Sequence, residues 1–155
     1  RIFLDKKSYA LPDTLEAIQN AEIIVLGPGD LFSSIIPNLL VENIIDSIKN
    51  SNAKKVFVCI VMTKNGETNN YKASDFLNTL ESYLGKNVLT HFIVNNSKCS
   101  ESSLLKYIEE NASQVEVDYS LDSRTDLKII LGDFINENEI IRHDSNKIAK
   151  AIIEL

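Results

Sequence analysis

The sequence predicts an α/β fold on a mostly parallel sheet, and three observations predict it. Strand-like runs fall at about 1–4, 22–26, 55–61, 88–94, 115–117 and 127–131. Segments of helical period lie between most of them, so the strands are joined by crossovers, which are right-handed in parallel sheets. The chain has 155 residues and is 44% apolar, enough for one core, so 1–155 read as a single α/β unit.

The first strand-like run is the opening RIFLD. Asp13 with Glu16 three residues later forms a capping box for a helix over 13–20. Residues 22–26 are almost purely apolar, as suits a central parallel strand covered on both faces. A Gly-Pro-Gly turn follows, then Ser33 and Ser34 as caps for a helix over 35–50. That helix carries Ile36, Leu39, Leu40, Ile44 and Ile48 on one face, with Pro37 in its first turn. Residues 74–84 place Phe76, Leu77, Leu80 and Leu84 at helical spacing behind a Ser74 cap. Residues 101–111 do the same with Leu104, Leu105 and Ile108. The last helix starts at Asp144 or Ser145 and buries Ile148, Ile152 and Leu155. Residues 118–139 are polar, Asp-rich and weakly periodic, which reads as an edge strand or an excursion.

Composition excludes several functions. A net charge of −6 argues against nucleic-acid binding, which wants a basic face. No apolar run approaches the roughly 18–20 residues of a spanning helix, so no membrane insertion is expected. Cys59 and Cys99 stand forty positions apart with no metal-ligand spacing. Cys59 reads as a buried, reduced thiol, and Cys99 as the more exposed of the two. A cytoplasmic location is expected.

Chemistry is expected beyond the carboxyl ends of the strands, where open parallel sheets bind ligands. Three connections at that edge are polar: Gly27–Ser34, MTKNGET at 62–68, and Asn95-Asn96-Ser97. In the first, Gly27 and Gly29 permit unusual φ values and leave no side chain in a ligand's way. The helix start behind them favours phosphate. The same residues also suit an ordinary tight turn. In the second loop Thr63 and Thr68 offer hydroxyls, Lys64 a cation, and Glu67 an acceptor. Arg142 could form bidentate bonds to phosphate, or pair at the surface with Asp144 or Glu139. His143 and His91 read as structural. Asp30, directly after the turn, would repel a bound phosphate; it points away, binds a sugar hydroxyl, or recruits a divalent cation. No residue is assigned as catalytic, and none as a metal ligand.

The stretches GPGDLFSSIIPNLL (27–40), VFVCIVMTKNGETNNYKASD (56–75), IVNN (93–96) and IRHDSNKIAKAI (141–152) resemble the CofD-like superfamily, and within it the YvcK-type gluconeogenesis factors. The opening RIFLD matches the same branch, and SIIPNLL at 34–40 favours it over the transferase branch. The resemblance implies a three-layer Rossmann-like sandwich. It implies that this chain is the carboxyl-terminal part of a longer protein whose first half carries a Gly-rich nucleotide loop and an acidic segment. The gluconeogenesis-factor branch implies a UDP-N-acetylglucosamine-type ligand, or another phosphorylated small molecule, and a regulatory role in carbon metabolism and cell shape. The transferase branch implies transfer of a phospholactyl-type group with a divalent cation such as magnesium, held together with the amino-terminal half. Carried over by position, the ligand-facing residues are Gly27, Pro28, Gly29, Ser33, Ser34, Asn38, Thr63, Glu67 and Arg142. The chain departs from the usual family pattern, which has Ser at Asp30, Tyr at Phe32, Thr at Ser33, Asn at Ile60, and Gln-Pro at Lys64-Asn65. Self-association as a homo-oligomer is left open.

Overall fold

Four parallel strands in the order β1-β2-β3-β4 form the sheet of this computed structural model, which describes residues 2–138 and 140–155. They are β1 (Ile23–Leu26), β2 (Lys54–Val58), β3 (His91–Asn95) and β4 (Lys128–Gly132). Register pairs Val25 with Val56, Phe57 with Phe92, and Ile93 with Ile130. The period of two sends alternate residues to opposite faces. Phe57, Phe92 and Val94 therefore point to one face and Val56, Val58 and Ile93 to the other.

The first face is covered by α2 (Ile36–Leu39), α3 (Ile44–Asn50) and α4 (Ala73–Leu84). Ile36, Ile48, Phe76, Leu77, Leu80 and Leu84 meet Phe57 and Phe92 there, and those two rings stack with centroids 5.1 Å apart. Burial of such side chains contributes about 1.5–3 kcal/mol each. α1 (Pro12–Asn20) packs outside α3. On the second face α6 (Ser145–Ile153) lays Ile148 beside Phe134, completing three layers. α5 (Glu101–Ile108) and the antiparallel pair β5 (Ile135–Asn136) and β6 (Arg142–His143) close over the carboxyl end of the sheet. There Val61, Met62, Cys99, Ile135 and Ile141 form a small core of their own.

Several expectations are corrected. Residues 2–4 form no strand, and Arg1 lies outside the described residues. β1 stands at an edge of the sheet, not at its centre, and Val25 is 41% exposed. The single helix over 35–50 is broken. A π-helical turn spans Leu31–Ile35, α2 lasts four residues, and Glu42 leaves the helix to pair with Tyr9, with Asn43 at φ +72°. Residues 115–117 make no strand; Val115 donates to the Val61 carbonyl at 2.8 Å beside a single bridge between Met62 and Gln114. Both cysteines are buried, Cys99 at 7% exposure being the less completely covered of the two, as expected.

Three expected caps are also absent. α1 begins at Pro12 without a side-chain cap, so the Asp13–Glu16 box does not form. Ser33 and Ser34 lie inside the π-helical turn and cap nothing. Ser74 turns outward from α4, its Oγ donating to Asp118 at 2.7 Å, while Asp75 accepts from the Lys72 amide at 2.9 Å. The Asp144 cap does form, accepting from the amides of Asn146 and Lys147.

Candidate functional site

The loops after β1 and β2 and strand β6 meet at the carboxyl end of the sheet and enclose a cleft of about 470 Å³. That volume lies within the range of small-molecule sites. The cleft is lined by Pro28, Gly29 and Asp30 after β1, by Ile60–Thr63 after β2, and by Tyr107, Ile141, Arg142, His143 and Ser145. A larger groove of about 800 Å³ runs along residues 2–7, but it lies away from the strand ends, and among the described residues Lys6, Lys7 and Glu42 bring charge to it.

The turn after β1 is built around Gly27. Its φ is +83°, and a Cβ there would stand 2.7 Å from the Val58 carbonyl oxygen and 3.2 Å from Ile35 Cδ1. Only glycine fits, because β2 passes directly against the turn. The Gly27–Pro28 peptide is cis. Gly29 has an ordinary φ, and its added Cβ would meet only Ser34 Cβ at 3.3 Å and Ile35 Cγ1 at 3.7 Å. The requirement for glycine thus falls on the first of the pair.

The nine residues expected to face a ligand divide into three groups. Pro28, Gly29, Thr63 and Arg142 share the cleft. Thr63 is buried, and its Oγ1 accepts from the Ser113 amide at 2.8 Å. Ser33 and Glu67 sit beside the cleft in a cluster with Asp30 and Lys64. Ser33 Oγ donates to Glu67 Oε1 at 2.9 Å, Lys64 Nζ is ion-paired with Asp30, and it lies 3.4 Å from Glu67 Oε1. The hydrogen bond to Asp30, with help from Glu67, holds the Lys64 ammonium above its usual pKa. Glu67 Oε2 is buried without a hydrogen-bond partner among the described residues. Gly27, Ser34 and Asn38 line a different cavity of about 380 Å³, which Pro28 and Gly29 also border. Asn38 Nδ2 is spent on the Ser34 carbonyl at 2.7 Å.

The third polar loop does not join the cleft. Asn95 is buried and works internally, donating to the Ser97 carbonyl and accepting from the Phe134 amide at 3.0 Å. It borders a separate groove with Cys99 and Gln114.

Arg142 is exposed, and Asp144, engaged as a helix cap, is not its partner. Glu139, the other expected partner, lies outside the described residues. Among the described residues Arg142 has no ion pair. Burial depresses the His143 pKa, opposed by a hydrogen bond to the Cys59 backbone, so its ring is held neutral at pH 7. His91 opens β3 as expected, its Nδ1 2.8 Å from Thr90 Oγ1. Burial pushes the Cys59 thiol up and the Cys99 thiol up to about 11, so neither is a nucleophile at neutral pH.

Tyr107 escapes any sequence signal. It reaches from α5, accepts from the Ile141 amide at 2.9 Å, and so holds the strand that presents Arg142. Nothing in its helical spacing marks it. Among the described residues no three His, Cys, Asp or Glu side chains converge. Asp30 and Glu67 both engage Lys64, so the residues present do not fit a divalent cation.

Comparison with known proteins follows the same line. Residues 1–135 match the family model described as 2-phospho-L-lactate transferase CofD. The gluconeogenesis factor of Halalkalibacterium halodurans is 39% identical over 99% of this chain, covering 48% of that protein. The putative gluconeogenesis factor of Thermotoga maritima is 43% identical over 96%, covering 48%. The gluconeogenesis factor of Bacillus subtilis is 35% identical over 100%, covering 50%. The crystal structure of protein BH3568 from Bacillus halodurans superposes with a TM-score of 0.94 at 39% identity, over 99% of this chain and 50% of that one. The chain thus spans about half the length of these relatives.

Proposed function

The chain belongs to the CofD family, with curated relatives named gluconeogenesis factor, and from that premise we propose that it binds a nucleotide sugar of the UDP-N-acetylglucosamine type as a regulator of carbon metabolism and cell shape in the cytoplasm. The observation that carries this reading is Arg142. It is a cation without an ion pair among the described residues, and it lines the same cleft as the side-chain-poor Pro28–Gly29 turn. A guanidinium in one cleft with bare backbone suits a phosphate oxygen. Apolar walls from Ile60, Val61 and Ile141 suit the flat face of a base or the body of a sugar.

The test is calorimetric titration of UDP-N-acetylglucosamine into the chain and into the natural protein that carries these 155 residues. Saturable heat supports the reading. No heat at millimolar ligand, from folded material, counts against it.

A second reading is a magnesium-dependent transferase of phosphorus-containing groups, and it rests on the description of the family model. Among the described residues no group of three metal-ligating side chains assembles, so this reading needs ligands beyond them. Magnesium-dependent turnover of a nucleotide-linked donor by the natural protein would establish it over the first.

A further inference from the structure

Asp30 comes from the turn after β1, and Lys64 and Glu67 from the loop after β2. Their contacts tie together the two loops that frame the cleft. Asp30 itself lines the cleft, and Lys64 follows Thr63, which also does. The cluster holds two carboxylates against one ammonium. It is therefore one positive charge short, and Glu67 keeps an oxygen without a donor. As it stands the cluster offers no net attraction to an anion: the cation nearest the turn is already neutralised, and a carboxylate faces the cleft. Yet nothing buries the pair. The Lys64 side chain is 47% exposed and that of Asp30 26%, so the ammonium is free to swing on its flexible stem. Ser33 Oγ lies 3.5 Å from Asp30 Oδ2 but gives its one proton to Glu67 at 2.9 Å, so Asp30 turns to solvent when Lys64 leaves.

We propose that Asp30 and Lys64 form a charge latch at the rim of the cleft, and that an anionic ligand binds by drawing Lys64 away from Asp30. The latch sets specificity. A neutral sugar leaves it closed, and a phosphate-bearing ligand opens it, with Lys64 and Arg142 then facing the anion from two sides. This rests on the anion-binding reading of the cleft but not on the identity of the nucleotide or sugar.

The experiment uses inorganic pyrophosphate as the probe, titrated calorimetrically at low salt into the wild-type chain and the Asp30→Asn, Lys64→Gln and Asp30→Asn/Lys64→Gln variants. Asn keeps the shape and removes the charge. Asp30→Asn is expected to bind about tenfold more tightly, the effect of freeing one ammonium within a side chain's length of the anion. Compared with Lys64→Gln alone, the double variant is expected to show no gain, because the gain belongs to the freed ammonium. An Asp30→Asn variant no tighter than wild type overturns the latch. So does a gain that survives Lys64→Gln, which would mean simple repulsion. Asp30→Ser serves as the second variant, and the absence of pyrophosphate binding in both Asp30 variants also overturns the latch. Titration of UDP-N-acetylglucosamine into wild type separates the two claims. Binding there without any effect of Asp30→Asn sinks the latch alone, and a latch effect on pyrophosphate without nucleotide-sugar binding sinks the nucleotide-sugar reading alone.

Discussion

Replacing Gly27 by alanine is expected to destabilise the fold by about 2–5 kcal/mol. Two effects add. A non-glycine residue at φ +83° sits in the left-handed region, at a cost of about 1–2 kcal/mol. The new Cβ also falls 2.7 Å from the Val58 carbonyl oxygen, closer than real contacts allow. That oxygen belongs to the backbone of a central strand, so no rotamer change relieves the clash, and overpacking of this kind costs about 1–3 kcal/mol. Gly29→Ala is the control. Its φ is ordinary and its added Cβ meets a side-chain Cβ at 3.3 Å, so the expected change is under about 1 kcal/mol. Urea denaturation followed by circular dichroism reads both. With a slope of about 2 kcal/mol per molar, Gly27→Ala should lower the midpoint by about 1–2.5 M. A Gly27→Ala midpoint within experimental error of wild type, or a Gly29→Ala loss of equal size, would refute the claim that β2 dictates glycine at position 27.

Other expectations are as specific. Arg142→Ala should weaken UDP-N-acetylglucosamine at least about tenfold while changing stability by no more than about 1 kcal/mol, because the side chain is exposed and has no ion pair among the described residues; unchanged affinity removes Arg142 from the site. Arg124→Ala should cost about 3 kcal/mol in the same urea assay. It strips the bidentate partner, at 2.8 and 3.1 Å, from the buried Glu81 carboxylate; a loss below about 0.5 kcal/mol would show that carboxylate to be solvated instead. His143 has a folded pKa depressed below 6.5, so its contribution to stability is present above 6.5 and is lost as pH falls through that value toward the folded pKa. His143→Gln should flatten that part of the pH–stability curve, and an NMR titration placing His143 above 6.5 would contradict the burial argument.

How far the sequence was legible depends on what each residue's neighbours had to say. The strand at 22–26 was readable from its apolar run, but its place in the sheet was not. Strand order is decided by pairing partners, and an apolar run reads the same at a centre as at an edge. The helix over 35–50 failed at Glu42 and Asn43. The bridge of Glu42 to Tyr9, thirty-odd positions away, and the left-handed Asn43 beside it override a periodicity that continues unbroken through the sequence. β5 and β6 are two residues each, too short to leave a period. At the site, the Gly-Pro-Gly turn was legible because backbone demands are written in glycine. Ser33, Lys64 and Glu67 were legible as polar loop residues, but Ser33 was not as a partner of Glu67 nor Lys64 as a partner of Asp30, since each of those contacts spans 34 positions. Tyr107 was invisible, because a tyrosine at helical spacing is ordinarily core.

The most direct test of the cleft is amide chemical-shift mapping of the isotopically labelled chain titrated with UDP-N-acetylglucosamine. The account predicts saturable shifts concentrated at Gly29, Asp30, Thr63, Lys64 and Arg142. Shifts gathered instead along residues 2–7, or none at millimolar ligand, would contradict it.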